Sequence, residues 1–112
     1  MTIQEHFPQA VACPGGFWEI TVGEYRALGE GIHAVDVRES EELMGARGLL
    51  SGVEHVPMAK VPDASKGWDM NAPLVLICRS GGRSAHAALW LQQQGFTKVV
   101  SLRGGMLEWS HS

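Results

Sequence analysis

One short segment of this 112-residue chain combines a nucleophile with groups that could activate it. The segment follows the apolar run Leu74–Ile77 and has the sequence Cys78-Arg79-Ser80-Gly81-Gly82-Arg83-Ser84. Its two glycines allow a tight turn that directs backbone N–H groups inward, and a helix N-terminus behind them adds positive potential. These groups stabilise a thiolate, so we expect the pKa of Cys78 to lie well below the roughly 8.5 of a free cysteine.

The two arginines of this segment favour a chemical role over a structural one. A buried structural cysteine followed by a connecting Gly-Gly turn is the alternative, because free cysteine is often buried. A turn that only joins a strand to a helix does not need arginines, whereas a tetrahedral oxyanion is well matched by guanidinium groups. We therefore predict that Cys78 is catalytic and that the residues after it bind the substrate: Arg79, Ser80, Gly81, Gly82, Arg83 and Ser84.

The elements around this segment predict an α/β fold with a mostly parallel central sheet flanked by helices. The continuous apolar run Leu74–Ile77 is typical of a strand buried on both faces. Residues 83–94 are predicted to form a helix that ends at Gly95 in a Schellman motif with Phe96. Further strands are predicted at 34–37, 53–56 and 98–101, and a terminal helix at 106–109. Such sheets place their sites beyond the carboxyl ends of strands, where Cys78 lies.

The remaining segments carry weaker signals. Thr21 and Glu24 predict a capping box at the start of a helix that ends at Gly29 or Gly31. Ser40 is expected to cap a helical turn that extends to residue 44. Residues 63–73 are predicted to be an irregular connection. The chain is predicted to be one domain over residues 1–112, with 1–16 as a loosely held N-terminal arm.

Several motifs together resemble those of rhodanese-like domains, in the order that the family has them. The loop at 78–84 resembles the family's active-site loop, and Asp36-Val37-Arg38-Glu39 is similar to its Asp-Val-Arg segment. Gly95-Phe96 and the closing run from Leu102 to Trp109 are similar to the family's C-terminal pattern. One segment departs from the pattern, because residues 48–53 lack the histidine that the family often has there.

The resemblance implies a sulfurtransferase that works by double displacement. Cys78 would take sulfur from a small anionic donor such as thiosulfate and hold it as a persulfide. Cyanide, a small thiol or a thiol-carrying protein would accept that sulfur, with Arg79 and Arg83 binding the sulfonate end of the donor. No metal and no organic cofactor is implied. Asp36 and Arg38 are expected to support the site as an ion pair or capping network rather than to act in catalysis directly.

Two other function classes remain open. Cysteine phosphatases and arsenate reductases use a longer loop in which five residues separate the cysteine from the arginine, so that the arginine would fall at the position that Ser84 occupies here. The arginine at 83 gives the shorter loop that the family associates with sulfur transfer. A non-catalytic module of the same fold, binding a partner, is the other alternative, although inactive modules typically lose the cysteine.

The composition and the apolar pattern of the chain indicate which partners and which compartment to expect. A net charge of −3 argues against nucleic-acid binding, which requires a basic face. The N-terminal sequence has no apolar run of a secretory signal, and no stretch approaches the roughly 18 apolar residues of a spanning helix. We therefore expect a cytoplasmic protein that binds no membrane, in which Cys13 and Cys78 are free thiols. Cys13 is expected to titrate near the free value, and Trp68 is a candidate for the rim of the site.

Overall fold

A mostly parallel β-sheet forms the centre of the molecule. The computed structural model describes residues 3–28, 32–45 and 48–111. Its strands are β1 (Val11–Ala12), β2 (Trp18–Ile20), β3 (His33–Asp36), β4 (Glu54–His55), β5 (Leu74–Ile77) and β6 (Val99–Leu102). Within these described ranges the six strands form one sheet in the order β1-β2-β6-β5-β3-β4, and β1 and β2 form its antiparallel pair.

Helices cover both faces of this sheet, which confirms the predicted α/β architecture. They are α1 (Val22–Ala27), α2 (Val61–Ala64), α3 (Gly82–Gln93) and α4 (Gly105–His111). Successive side chains of β5 point to opposite faces. Val75 and Ile77 pack in the cluster that contains residues of α1 and α4. Leu74 and Leu76 pack in the cluster that contains residues of α2 and α3. The central strand is thus buried on both faces, as its apolar run predicts.

Local sequence signals set the ends of two helices. The Thr21 hydroxyl accepts a hydrogen bond from the Glu24 N–H, and the Glu24 carboxylate accepts one from the Thr21 N–H, which confirms the capping box. At the other end of the sequence, the Phe96 N–H donates to the Leu91 carbonyl at 3.1 Å. Gly95, the residue before Phe96, has a φ of 112°, so α3 ends in the predicted Schellman motif.

Two local predictions differ from the structure. The helical turn at Ser40–Met44 is a 3-10 segment capped by Glu39, whose N–H donates to the Glu42 carboxylate at 2.7 Å, so Ser40 is not its cap. The connection at 63–73 is not irregular throughout, because α2 runs to residue 64 and the 3-10 turn Ser65–Gly67 follows. Pro62, in the first turn of α2, favours this early helix start. The predicted helix end at Gly29 or Gly31 lies outside the described residues.

The N-terminal segment is packed rather than loosely held. Phe7 is completely buried, and Ile3 and Ala10 are buried in the same apolar cluster as Ile20. Strand β1 pairs with β2 at the edge of the sheet. Ile3, Phe7 and Ala10 therefore pack against the core, whereas the sequence predicted a loosely held arm over 1–16. The apolar residues responsible are isolated in sequence, so their burial depends on distant parts of the chain.

The described helices are short. The longest of them, α3, has 12 residues, whereas a membrane-spanning helix needs about 20. Among the residues that the structure describes, no helix is long and apolar enough to cross a membrane. The same residues include no group of three or more His, Cys, Asp or Glu side chains placed to hold a metal ion.

Candidate active site

Strand β5 delivers Cys78 to the carboxyl edge of the sheet, at the start of a sharp turn into α3. The Cys78 side chain is buried, with 1% of its surface exposed. Gly81 caps α3 with a φ of 105°, a conformation that favours glycine. A Cβ at this position would also lie 3.4 Å from the backbone nitrogen of Gly104. The predicted role of Gly81 as a turn residue thus has two physical causes.

Hydrogen-bond donors converge on the Cys78 sulfur. The Gly81 N–H donates to Sγ at 3.0 Å, and the Ser84 hydroxyl donates to it at 3.4 Å. Burial by itself raises the pKa of Cys78, because it disfavours the thiolate. The Ser84 hydroxyl and the N–H groups of Ser84, Gly81 and Ser80 outweigh burial, so the pKa is lowered overall. This direction matches the sequence-based expectation for an activated nucleophile.

The N-terminus of α4 holds the backbone of the Cys78 loop. The Met106 N–H donates to the Cys78 carbonyl, and the Leu107 N–H donates to the Arg79 carbonyl, both at 2.9 Å. Because the peptide group is planar and trans, a carbonyl fixed toward α4 holds the N–H of the next residue on the opposite side. The contact therefore helps to direct the Ser80 N–H away from α4.

Glycine at position 105 makes this close approach possible. A Cβ there would overlap the Cys78 carbonyl oxygen and lie 2.8 Å from the Arg79 carbonyl carbon. Gly105 also has a φ of 54°, in the left-handed region. Our sequence analysis included this glycine in the closing motif but assigned it no role in the site. The sequence feature that could have indicated this role is the Gly-Gly pair directly before the predicted terminal helix.

A second hydroxyl lies behind Ser84. Ser101 of β6 is completely buried, and its Oγ lies 2.7 Å from the Ser84 Oγ. Ser84 is also completely buried, and its Oγ lies 3.2 Å from the Gly81 carbonyl oxygen. The sequence analysis placed Ser84 in the substrate-binding loop and did not identify Ser101. A polar residue in the otherwise apolar strand Val99–Leu102 was the signal for it.

The two loop arginines have different surroundings. Arg79 is exposed, as is Ser80, and no described residue forms an ion pair with the Arg79 side chain. Arg83 instead forms a bidentate ion pair with Glu42, at 2.8 Å from Nη1 and 2.7 Å from Nη2. The Arg83 guanidinium lowers the pKa of Glu42 to about 2. Two of the guanidinium N–H groups are thus occupied by a partner that the sequence analysis did not identify.

Asp36 and Arg38 form a buried ion pair at the end of β3. Arg38 Nη2 lies 2.7 Å from Asp36 Oδ2, and both side chains are at most 2% exposed. Arg38 Nη2 also donates to the Gly48 carbonyl at 3.4 Å, and the His55 ring contacts the Arg38 carbonyl at 2.8 Å. The pair therefore ties β3 to the segment that leads into β4. This arrangement matches the supporting network that the sequence analysis favoured.

Trp68, the candidate for the rim of the site, lies away from the Cys78 sulfur. Trp68 packs edge-on against His33, with centroids 5.0 Å apart, and against Phe96. His33 begins β3, so Trp68 lies at the amino edge of the sheet and not at the rim of the Cys78 loop. The sequence position of Trp68 did not decide between the two edges of the sheet, because the connection from β4 to β5 starts at the carboxyl edge and ends at the amino edge. His86 is exposed on the surface of α3.

Cys13 has the opposite environment from Cys78. Its Sγ is a donor to the Val11 carbonyl at 3.7 Å. Burial raises the pKa of Cys13, and the carboxylate of Glu19 raises it further by hydrogen bonding and by charge. The expectation that Cys13 titrates near the free value is therefore wrong. The nearby carboxylate belongs to β2, which pairs with the strand before Cys13, so the contact depends on this pairing.

The chain is similar to known proteins in sequence and in structure. The model for the Rhodanese-like domain matches residues 21–112. Thiosulfate sulfurtransferase GlpE of Pseudomonas aeruginosa is 38% identical over 94 residues, which cover 83% of this chain and 84% of that protein. A sulfurtransferase of Allochromatium vinosum is 35% identical over 81 residues, covering 72% and 74%. The crystal structure of a rhodanese-like domain protein from Staphylococcus aureus superposes with a TM-score of 0.73 at 30% identity, covering 81% and 89%.

Proposed function

We propose, on the premise that this chain belongs to the rhodanese-like domain family of sulfurtransferases, that it transfers sulfane sulfur through a persulfide on Cys78. The observation that carries the proposal is the convergence of the Gly81 N–H and the Ser84 hydroxyl on the Cys78 sulfur. These donors stabilise negative charge at the one atom that must act as nucleophile and leaving group in turn.

The first half of the proposed cycle loads sulfur. The Cys78 thiolate attacks the outer sulfur of thiosulfate and forms a new S–S bond. The original S–S bond of thiosulfate breaks, and sulfite leaves with its electron pair. Thiosulfate is the proposed donor because the related GlpE is named for it. Donors of the loop that face the sulfur remain available to the persulfide anion.

The second half returns the enzyme to its starting state. A thiophilic acceptor attacks the outer sulfur of the persulfide, and the Cys78 thiolate leaves. Cyanide would give thiocyanate, and a thiol would give a new persulfide. The same hydrogen bonds that lower the pKa of Cys78 make it a better leaving group here. A reducing compartment such as the cytoplasm would keep Cys78 available as a thiol between cycles.

The arginines are proposed to share the binding of the donor. Arg79 is exposed at the loop and can approach the sulfonate end of thiosulfate directly. Arg83 is oriented by Glu42 and offers the N–H groups that this carboxylate leaves unused. Glu42 offsets the charge of Arg83, so the loop suits a small anion held by few contacts. The short spacing between Cys78 and Arg83 favours sulfur transfer over phosphate chemistry.

Intact-mass measurement tests this proposal. After incubation with thiosulfate and removal of the donor, the protein should be heavier by one sulfur atom, and cyanide should restore its mass with release of an equal amount of thiocyanate. Cys13→Ser should behave like the wild type, and Cys78→Ser should gain no sulfur while remaining folded. Sulfur on Cys13, or on neither thiol with thiosulfate and with persulfide donors, would overturn the proposal.

A further inference from the structure

The two buried hydroxyls behind Cys78 raise the question of where their protons go. Ser84 Oγ lies within hydrogen-bond distance of Cys78 Sγ, the Gly81 carbonyl and Ser101 Oγ. A serine hydroxyl has one proton to donate, so it can serve only one of these three atoms at a time. The direction of the Ser84–Ser101 hydrogen bond therefore decides whether the Ser84 hydroxyl can donate to the sulfur in addition to the Gly81 N–H.

Ser101 constrains that direction because it is completely buried and has a single partner. Among the described residues, the only hydrogen-bond partner of its Oγ is Ser84. If Ser84 donated to Ser101, the Ser101 proton would be buried without an acceptor, which is unfavourable. If Ser101 donates to Ser84, its own proton is satisfied. Ser84 then keeps its proton for another acceptor.

The sulfur is the better of the two remaining acceptors. The Gly81 carbonyl already accepts the Ala85 N–H at 3.1 Å within the first turn of α3. The Cys78 thiolate carries a full charge, and a hydrogen bond to a charged acceptor is stronger than one to a neutral carbonyl. Satisfying both hydroxyl protons therefore gives a chain that runs from Ser101 to Ser84 and ends on the sulfur.

We propose that Ser101 is a positioning residue that directs the Ser84 hydroxyl proton onto the Cys78 sulfur. It acts without touching the substrate, from strand β6, 23 positions after the nucleophile in the sequence. Accepting the Ser101 bond also polarises the Ser84 hydroxyl and strengthens its donation. The inference deepens the proposed function and rests on it only in taking the thiolate as the reactive form of Cys78.

The pH dependence of alkylation tests this role without any sulfur donor. In a Cys13→Ser background, the rate of iodoacetamide reaction reports the apparent pKa of Cys78 alone. Ser101→Ala should raise this pKa by about half a unit, and Ser84→Ala by about one unit, because each weakens or removes a hydrogen bond to the thiolate. Ser101→Thr keeps a hydroxyl and should stay close to the parent.

Ser65→Ala is the matched control. Ser65 is also buried, and its hydroxyl donates to the Pro62 carbonyl, away from Cys78. Its loss should leave the alkylation profile unchanged. Ser101→Ala also leaves unaltered the charged side chains on the elements around the nucleophile: Arg79, Arg83, Glu42, Asp36 and Arg38. Thermal unfolding of each variant would show that it is folded before its profile is compared.

A double variant separates a relay from a general effect. If Ser101 acts through Ser84, then adding Ser101→Ala to Ser84→Ala should cause no further shift in the pKa of Cys78. The inference would be overturned if Ser101→Ala shifted the pKa of Cys78 as much in the Ser84→Ala background as in the parent. It would also be overturned if the profile of Ser101→Ala alone equalled that of Ser65→Ala. Neither result would affect persulfide loading, so the sulfurtransferase proposal would stand.

Discussion

The two cysteines of this chain show that exposure alone does not set the acidity of a thiol. Cys78 is the more deeply buried of the two, and its pKa is lowered. Cys13 is partly exposed, and its pKa is raised. The difference lies in the neighbouring groups, because Cys78 Sγ accepts hydrogen bonds whereas Cys13 Sγ is a donor beside the Glu19 carboxylate. At Cys78 the oriented hydrogen-bond donors outweigh desolvation, whereas no such donor from the described residues contacts the sulfur of Cys13.

Gly105→Ala should produce the largest change, because it disrupts the contact by which α4 holds the backbone of the Cys78 loop. Within the described part of the chain, α4 gives Cys13 no such support. The added Cβ would collide with the backbone of Cys78 and Arg79. We expect a loss of sulfurtransferase activity of about a hundredfold or more and a destabilisation of about 3 kcal/mol. Steady-state kinetics and chemical unfolding measure the two effects.

Gly67→Ala provides the control for this substitution, because a Cβ at that position meets nothing within 4 Å. It should leave both activity and stability close to those of the parent. If Gly105→Ala retains parental activity, α4 does not hold the loop in its active conformation.

Arg83→Ala should weaken the use of thiosulfate by about tenfold to a hundredfold in kcat/KM, since it removes a charged donor and leaves Glu42 unpaired near the loop. Arg83→Lys should restore only part of this, because a point charge cannot bind a carboxylate and an anion together. Arg83 holds the pKa of Glu42 at about 2, and in the variant this pKa should rise toward its ordinary value of 4.5, so Glu42 itself should add no pH dependence to the loss between about pH 6 and 9. Unchanged kinetics would show that Arg83 does not bind the donor.

The alkylation profiles of the two thiols should be separated in the folded protein, with Cys78 reacting at lower pH than Cys13. The lowered pKa of Cys78 means that its thiolate, and hence its reaction rate, appears at lower pH. The raised pKa of Cys13 delays its reaction to higher pH. Peptide mapping after brief iodoacetamide exposure measures both thiols in one sample, and coincident profiles would remove the case for an activated nucleophile.

Glu19→Gln should give the smallest effect, a partial fall in the pKa of Cys13. It removes the charge that raises this pKa, while burial, which contributes more, remains. Cys78 should be unaffected. The same alkylation measurement checks both thiols, and a fall of the Cys13 pKa all the way to that of a free cysteine would mean that burial contributes nothing.

Sequence reasoning succeeded where the physical cause is local. The apolar run Leu74–Ile77 identified the central strand with its observed bounds, because burial on both faces leaves no polar position. The capping box at Thr21 and the Schellman motif at Gly95 depend on a few adjacent residues. The loop from Cys78 to Ser84 was identified for the same reason: its glycines, its sulfur and its helix start are consecutive.

The features that escaped prediction depend on contacts between distant segments. Glu42 meets Arg83 across 41 positions, and Ser101 meets Ser84 across 17. Phe7 is buried in a cluster with Ile20 and Met106, which come from distant parts of the chain. No local pattern specifies such pairs, since many polar or apolar residues could serve as partners until the topology brings two of them together.

The hydrogen bonds from α4 to the carbonyls of Cys78 and Arg79 also have a consequence for synthesis on the ribosome. The donors, Met106 and Leu107, are translated 28 residues after the groups that they hold. A nascent chain that ends before them can form β5 and begin α3, but the loop between these elements has no partner for its carbonyls. We therefore expect Cys78 to acquire its full reactivity only after Met106 and Leu107 have been translated and have packed against the loop, and to be chemically closer to an ordinary thiol until then.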